Sequence, residues 1–137
     1  MVKRELIVAR LERLREYLKT LKTIRKTDPD KFLDDVFIRA TAERYLHLSI
    51  ECLLDMGNHV IADRGYRKPD TYGEVFEILA EHKVIPKKLR DELAGMTAFR
   101  NVLVHDYLRL DPAKVYAVLQ EKLPSLEKLS GIFAGLI

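Results

Sequence analysis

The chain has 137 residues and 24 Lys and Arg against 21 Asp and Glu, for a formal charge of +3 and a pI near 9.0. The length suits one domain spanning residues 1–137 with its own core, and 47% hydrophobic with 33% charged residues is the balance of a soluble globular protein. Nearly matched charges imply no general nucleic-acid surface, so any RNA contact has to be local, and a single cysteine, Cys52, excludes an intrachain disulfide or a Cys-based zinc site and makes the cytoplasm the expected location.

In chain order, the first predicted helix covers Val2 to Lys26, where Ile7, Leu11, Leu14, Leu18, Leu21 and Ile24 recur along one face. Its charges run through the stretch that would have to be the apolar core of a signal peptide. Asp28-Pro29 reads as a cap and a tolerated first-turn proline, and opens a second helix that reaches Asp63 or Arg64 before Gly65 stops it. That helix carries one apolar stripe of Leu46, Ile50, Leu53, Leu54, Gly57, Val60 and Ile61 and another of Tyr45, Leu48, Cys52 and Met56. One stripe lines the core; the other is expected at a two-fold dimer interface, unless further helices of the same bundle cover it.

A basic loop, Arg64-Gly65-Tyr66-Arg67-Lys68, leads to Thr71 and Glu74, spaced as a capping box for a third helix through Glu81. Pro86 opens a fourth, whose apolar steps Leu89, Leu93, Met96, Phe99 and Leu103 run on without interruption. Asp111-Pro112 starts a fifth, with Val115, Val118, Leu119 and Leu123 inward and a bend or restart at Pro124. Leu129 to Ile137 is apolar but well short of the roughly 20 residues that span a bilayer, so docking onto the bundle is expected and no membrane association. No segment alternates long enough for a strand, and the fold class is all-α: a single up-and-down bundle of about five helices.

Chemistry concentrates in Phe99-Arg-Asn-Val-Leu-Val-His-Asp-Tyr107. Arg100 offers a planar fork of donors that fits a phosphate, and histidine exchanges a proton near neutrality. The plainer alternative is a helix-end arginine, a satisfied His105 and a packed Tyr107. Residues five apart on a regular helix point about 140° apart, so Arg100 and His105 converge only if the helix distorts after Asn101 or both face one cleft.

The pattern Arg100-Asn101-x3-His105-x-Tyr107 resembles the signature of the HepT branch of HEPN domains. Glu43-Arg-Tyr-Leu46, Leu54-Asp-Met-Gly-Asn-His59, Thr71-Tyr-Gly-Glu-Val-Phe76 and Met96-Thr-Ala-Phe99 are similar to the corresponding helices in the same order. The resemblance implies a HEPN-like bundle and an endoribonuclease toxin that uses no metal and no cofactor. Its homodimer would cut RNA with Arg100 and His105 as catalytic residues and Asn101 in support, and Tyr107 would receive AMP from a partner nucleotidyltransferase that serves as antitoxin. The alternative is a non-catalytic HEPN module that binds nucleotide, RNA or the nucleotidyltransferase, or a purely structural dimer.

Other polar residues read more plainly. Arg44, His47, Glu51, Asp55 and Asn58 share one side of the second helix without the Glu-x-x-His spacing of helical carboxylate metal sites, and so form a solvated or interface strip, with Glu51 and Asp55 as candidates for holding Arg100. His59 and His82 read as surface or cap residues. Tyr66, Arg67 and Lys68 could stack on and neutralise RNA, though such a stretch is more often a mobile loop.

Overall fold

The computed structural model describes residues 4–137, apart from the Tyr107 side chain. Val2 and Lys3, expected in the first helix, lie outside the described residues. α1 (Arg4–Arg25) buries all six residues of the predicted stripe. α2 (Pro29–Asp34) begins where expected, with the Asp28 carboxylate accepting from the Lys31 N–H at 2.9 Å and Phe32 wholly buried.

The second predicted helix is in fact two. Asp35 is extended (φ −94°, ψ 105°), and its carboxylate accepts from the N–H groups of Phe37 and Ile38 at 3.0 and 3.2 Å, starting α3 (Val36–Asp63) anew. Asp competes for backbone donors outside helices, and here that preference overrides an apolar period that continues across the break. α3 is 28 residues long, about 42 Å at the helical rise, and packs against α1 and three later helices. It ends in a Schellman motif: Gly65 is left-handed (φ 67°), Tyr66 N–H donates to Ile61 O at 3.0 Å, and Gly65 N–H donates to Ala62 O at 3.3 Å.

α4 (Glu74–Glu81) starts later than the capping-box reading expects. Thr71 does not cap it; Glu74 instead accepts from the Asp70 N–H at 2.8 Å and pairs with Arg67 at 3.5 Å. Val75, Phe76, Ile78 and Leu79 form its buried face. The fourth predicted helix is likewise divided, into α5 (Lys87–Glu92) and α6 (Met96–His105), because Gly95 is left-handed (φ 86°). A 3-10 turn (Tyr107–Arg109) leads to α7 (Pro112–Gly135), capped by the Asp111 carboxylate, which accepts from Ala113 N–H at 3.0 Å.

α7 runs through Pro124 rather than restarting there. Proline has no N–H for the carbonyl four residues back. That carbonyl, of Gln120, instead accepts from Arg25 Nε and Nη2 at 3.1 and 2.6 Å, while Gln120 Nε2 donates to Arg25 O at 2.7 Å. The exchange satisfies an orphan acceptor in α7 and one at the C-terminus of α1 together.

α1 lies antiparallel to α3, with Arg10 against Asp55 and Tyr17 against Tyr45, and the three long helices α1, α3 and α7 pack on one another around the core. No strand occurs among the described residues. The architecture is an up-and-down helical bundle, divided more finely than the five expected helices. α1 also settles the second stripe of α3: Met56 is fully buried, Cys52 donates weakly to Arg10 O at 3.5 Å, and Tyr45 packs on Tyr17 with centroids 5.1 Å apart. Met56 is therefore covered within the chain, and Tyr45 and Cys52 are half-buried against α1, which corrects the expectation that this stripe as a whole forms the dimer face. Leu48 and Cys52 of that stripe line an open groove, with Leu6, Arg10 and Tyr17.

Candidate functional site

α6 packs against α3, and this brings Arg100 onto the polar strip of the longer helix. Arg44, His47 and Glu51 fall at steps of three and four residues and so share one face. Arg44 Nη1 lies 3.3 Å from His47 Nδ1, His47 Nε2 lies 2.9 Å from Glu51 Oε2, and Arg100 Nη2 donates to Glu51 Oε1. With Nε2 as donor to the carboxylate, Nδ1 is the acceptor for Arg44. Arg100 Nη1 also donates to Asn101 Oδ1 at 2.8 Å, and its guanidinium carbon lies 5.4 Å from the centre of the Tyr72 ring.

Only 13% of the Arg100 side chain is exposed. Its Nε is buried without a hydrogen-bond partner among the described residues, and two of its five N–H donors go to Glu51 and Asn101. Burial pushes the Glu51 carboxyl up, but the Arg100 hydrogen bond and charge, with His47, outweigh it and hold Glu51 below the usual carboxylate range. The guanidinium is thus a fixed cation held from two sides.

Of the two carboxylates suggested for Arg100, only Glu51 meets it. Asp55, one turn on, instead pairs with Arg10 of α1 at 3.2 Å, and the same arginine reaches His59 Nε2 at 3.2 Å. His105 is the last residue of α6 and exposed. Because α6 stays helical through His105, the distortion that would let Arg100 and His105 converge is not there. They point about 140° apart, Arg100 inward and His105 outward. The Tyr107 hydroxyl, the expected site of modification, lies outside the described residues.

Tyr72 escaped the sequence reading as part of this cluster, and His47, on the strip beside Glu51, reads from sequence as a solvated or interface residue. The spacing of Arg44, His47 and Glu51 was the available signal for His47; nothing local marked Tyr72. The basic loop is also anchored: Arg67 pairs with Glu81 at 2.9 Å as well as with Glu74, and Tyr66 stacks on His82 at 3.6 Å with rings 2° from parallel. Arg67 is therefore spent on the fold, and His82 is a stacking partner as well as the C-cap of α4.

The family model for HepT-like ribonucleases matches residues 10–131. The chain belongs to that family. Among HepT-like relatives, the Bacillus subtilis (strain 168) protein YutE, a candidate RNase, is 36% identical over 85 residues, 62% of this chain and 59% of YutE. That match spans less than two thirds of YutE's own length. A tRNA nuclease HepT of Aphanizomenon flos-aquae is 28% identical over 114 residues, 83% of this chain and 78% of that protein. The HepT-like bundle is also that of a tri-AMPylated Shewanella oneidensis HEPN toxin, solved in complex with an MNT antitoxin, with a TM-score of 0.85 at 23% identity over 97% of this chain and 99% of that one. No described helix is long and apolar enough to cross a membrane.

Proposed function

We propose that this chain is the endoribonuclease toxin of a toxin–antitoxin pair, acting in the cytoplasm as a homodimer without a metal. The observation that carries the reading is the pairing of a fixed cation, Arg100, oriented by Glu51 and Asn101, with a solvent-facing His105 at the end of the same helix. Within one chain they face apart, so a site that needs both draws His105 groups from two chains. Leu108, 92% exposed beside the motif, supplies apolar surface for that meeting.

The chemistry follows from what RNA carries. One His105 takes the proton of a 2′-hydroxyl, the freed oxygen attacks the adjacent phosphorus, and the bond to the 5′-oxygen breaks. The other His105 protonates that leaving oxygen, which yields a cyclic 2′,3′-phosphate and a 5′-hydroxyl. Arg100 stabilises the charge on the phosphorane, and Asn101 keeps the guanidinium in place. A partner nucleotidyltransferase controls the site by transferring AMP from ATP to the Tyr107 hydroxyl with release of pyrophosphate, which places a phosphodiester and a nucleoside two residues from His105.

A second reading, a non-catalytic module that binds RNA, nucleotide or the nucleotidyltransferase, draws on the burial and prior pairing of Arg100. RNA cleavage in the presence of a chelator decides between them. General acid–base catalysis is worth about 10²–10⁴-fold, so His105→Ala should lose most turnover and keep RNA affinity. Sedimentation should show a dimer, and intact mass should show AMP added by the nucleotidyltransferase with ATP to the wild type but not to Tyr107→Phe. A chain that binds RNA and never cuts it is the binding module instead.

A further inference from the structure

Beside Arg100 lies an open groove of about 610 Å³ that none of the chemistry above uses. Its walls include Asn58, Ile61, Ala62, Tyr66, Lys68 and Tyr72. The volume falls within the range of small-molecule sites, and the composition matches too: largely apolar walls with a few polar groups. Tyr72 joins the two places, since the ring that carries the Arg100 guanidinium 5.4 Å from its centre also lines the groove and is 50% exposed. The walls are preformed. The Arg67 pairs with Glu74 and Glu81, the Glu74 bond to Asp70 N–H and the Tyr66–His82 stack hold the loop that builds them.

We infer that this groove is a base-binding subsite, in which an unstacked base of single-stranded RNA lies on Tyr72 while the phosphate of the same strand meets Arg100. The inference rests on the reading that Arg100 holds an RNA phosphate, and adds to it where the base goes. A base offers a flat apolar face for the aromatic ring and a hydrogen-bonding edge for the Asn58 amide, which both donates and accepts. Lys68 is exposed at the same groove, where its ammonium can meet a neighbouring phosphate. A peptide segment would satisfy the apolar walls but leaves the adjoining fixed cation without a role.

The test compares two probes that cannot be cut by 2′-hydroxyl attack: a fluorescein-labelled 2′-O-methyl RNA oligomer and an abasic oligomer of the same length and charge. Anisotropy should show wild-type protein preferring the base-bearing oligomer by about 5- to 150-fold, the range for stacking one base on an aromatic ring. Ala62→Phe, at an exposed position in the groove and not among the contacts of Arg100, should abolish the preference and leave binding of the abasic chain unchanged. Tyr72→Ala should also lose the preference and Tyr72→Phe should keep it, so the comparison does not depend on any one variant folding. Equal affinity of wild type for the two probes, or a preference that survives Ala62→Phe, overturns the subsite. RNA cleavage by wild type in parallel separates the two readings: cutting without a base preference leaves the nuclease and removes the subsite, while a base preference without cutting does the reverse.

Discussion

Replacing Glu51 by Gln keeps an acceptor opposite Arg100 and removes the charge. A charge-assisted hydrogen bond contributes about 1.5–3 kcal/mol when shielded, about twice a neutral one. The Glu51 side chain is 43% exposed, so solvent screening reduces the difference on Glu51→Gln to about 1 kcal/mol. For a domain of this size that is about 3–4 °C in Tm. The pH dependence has a definite sign. Because the folded protein holds the Glu51 carboxyl below its ordinary value, its contribution is present above the unfolded pKa, about 4.3, and is lost as pH falls through the lowered folded value. Thermal denaturation of both proteins from about pH 7 down to about pH 3 should therefore show wild type ahead at neutrality and the gap closing in acid. A variant as stable as wild type at neutrality, or a gap that is constant into acid, refutes the assignment of Glu51 as the group that fixes Arg100.

Met56→Glu places a charge among fully buried side chains and should cost about 4 kcal/mol or more, seen as loss of a cooperative melt by circular dichroism; a folded monomer would instead restore Met56 to a dimer face. Arg25→Ala orphans the Gln120 carbonyl and should cost about 1–3 kcal/mol, but less in a Pro124→Ala background, where the new N–H takes over that acceptor. A double-mutant cycle in urea measures that coupling, and strictly additive losses would contradict the exchange described for α1 and α7. Burial pushes the Cys52 thiol up to about 11, so about one thiol in a thousand is ionised at pH 8 and iodoacetamide should label the native protein far more slowly than the unfolded chain. Rapid native labelling would show that Cys52 is not under α1.

The long helices were legible because their apolar residues keep a regular period: every buried position of α1 and the inner side of α7 at Val115, Val118, Leu119 and Leu123 follow from spacing alone. The breaks at Asp35 and Gly95 were not, since Leu33 to Ile38 and Leu93 to Phe99 keep apolar residues at helical steps across them. A period records which side faces inward and says little about where the backbone turns. Arg100 and His105 stood out as residue types close together in sequence. What holds Arg100 was harder to see: Glu51 lies 49 positions away, and Asp55, one turn further, fits equally well until Arg10 on α1 claims it. Tyr72 enters the cluster only because the loop before α4 is pinned by Glu74 and Arg67.

The left-handed turn at Gly95 separates α6 mechanically from α5. Among the described helices α6 rests on α3 alone, whereas α7 is gripped by four others. A segment attached along one side opens at a lower free energy than the whole molecule, so its amides should exchange with solvent well before those of α1 or α7. Among the described helices, the one that bears Arg100 and His105 is then the most easily levered or clamped from outside. A protein that grips α6 there takes hold of both side chains at once, without having to unfold anything else.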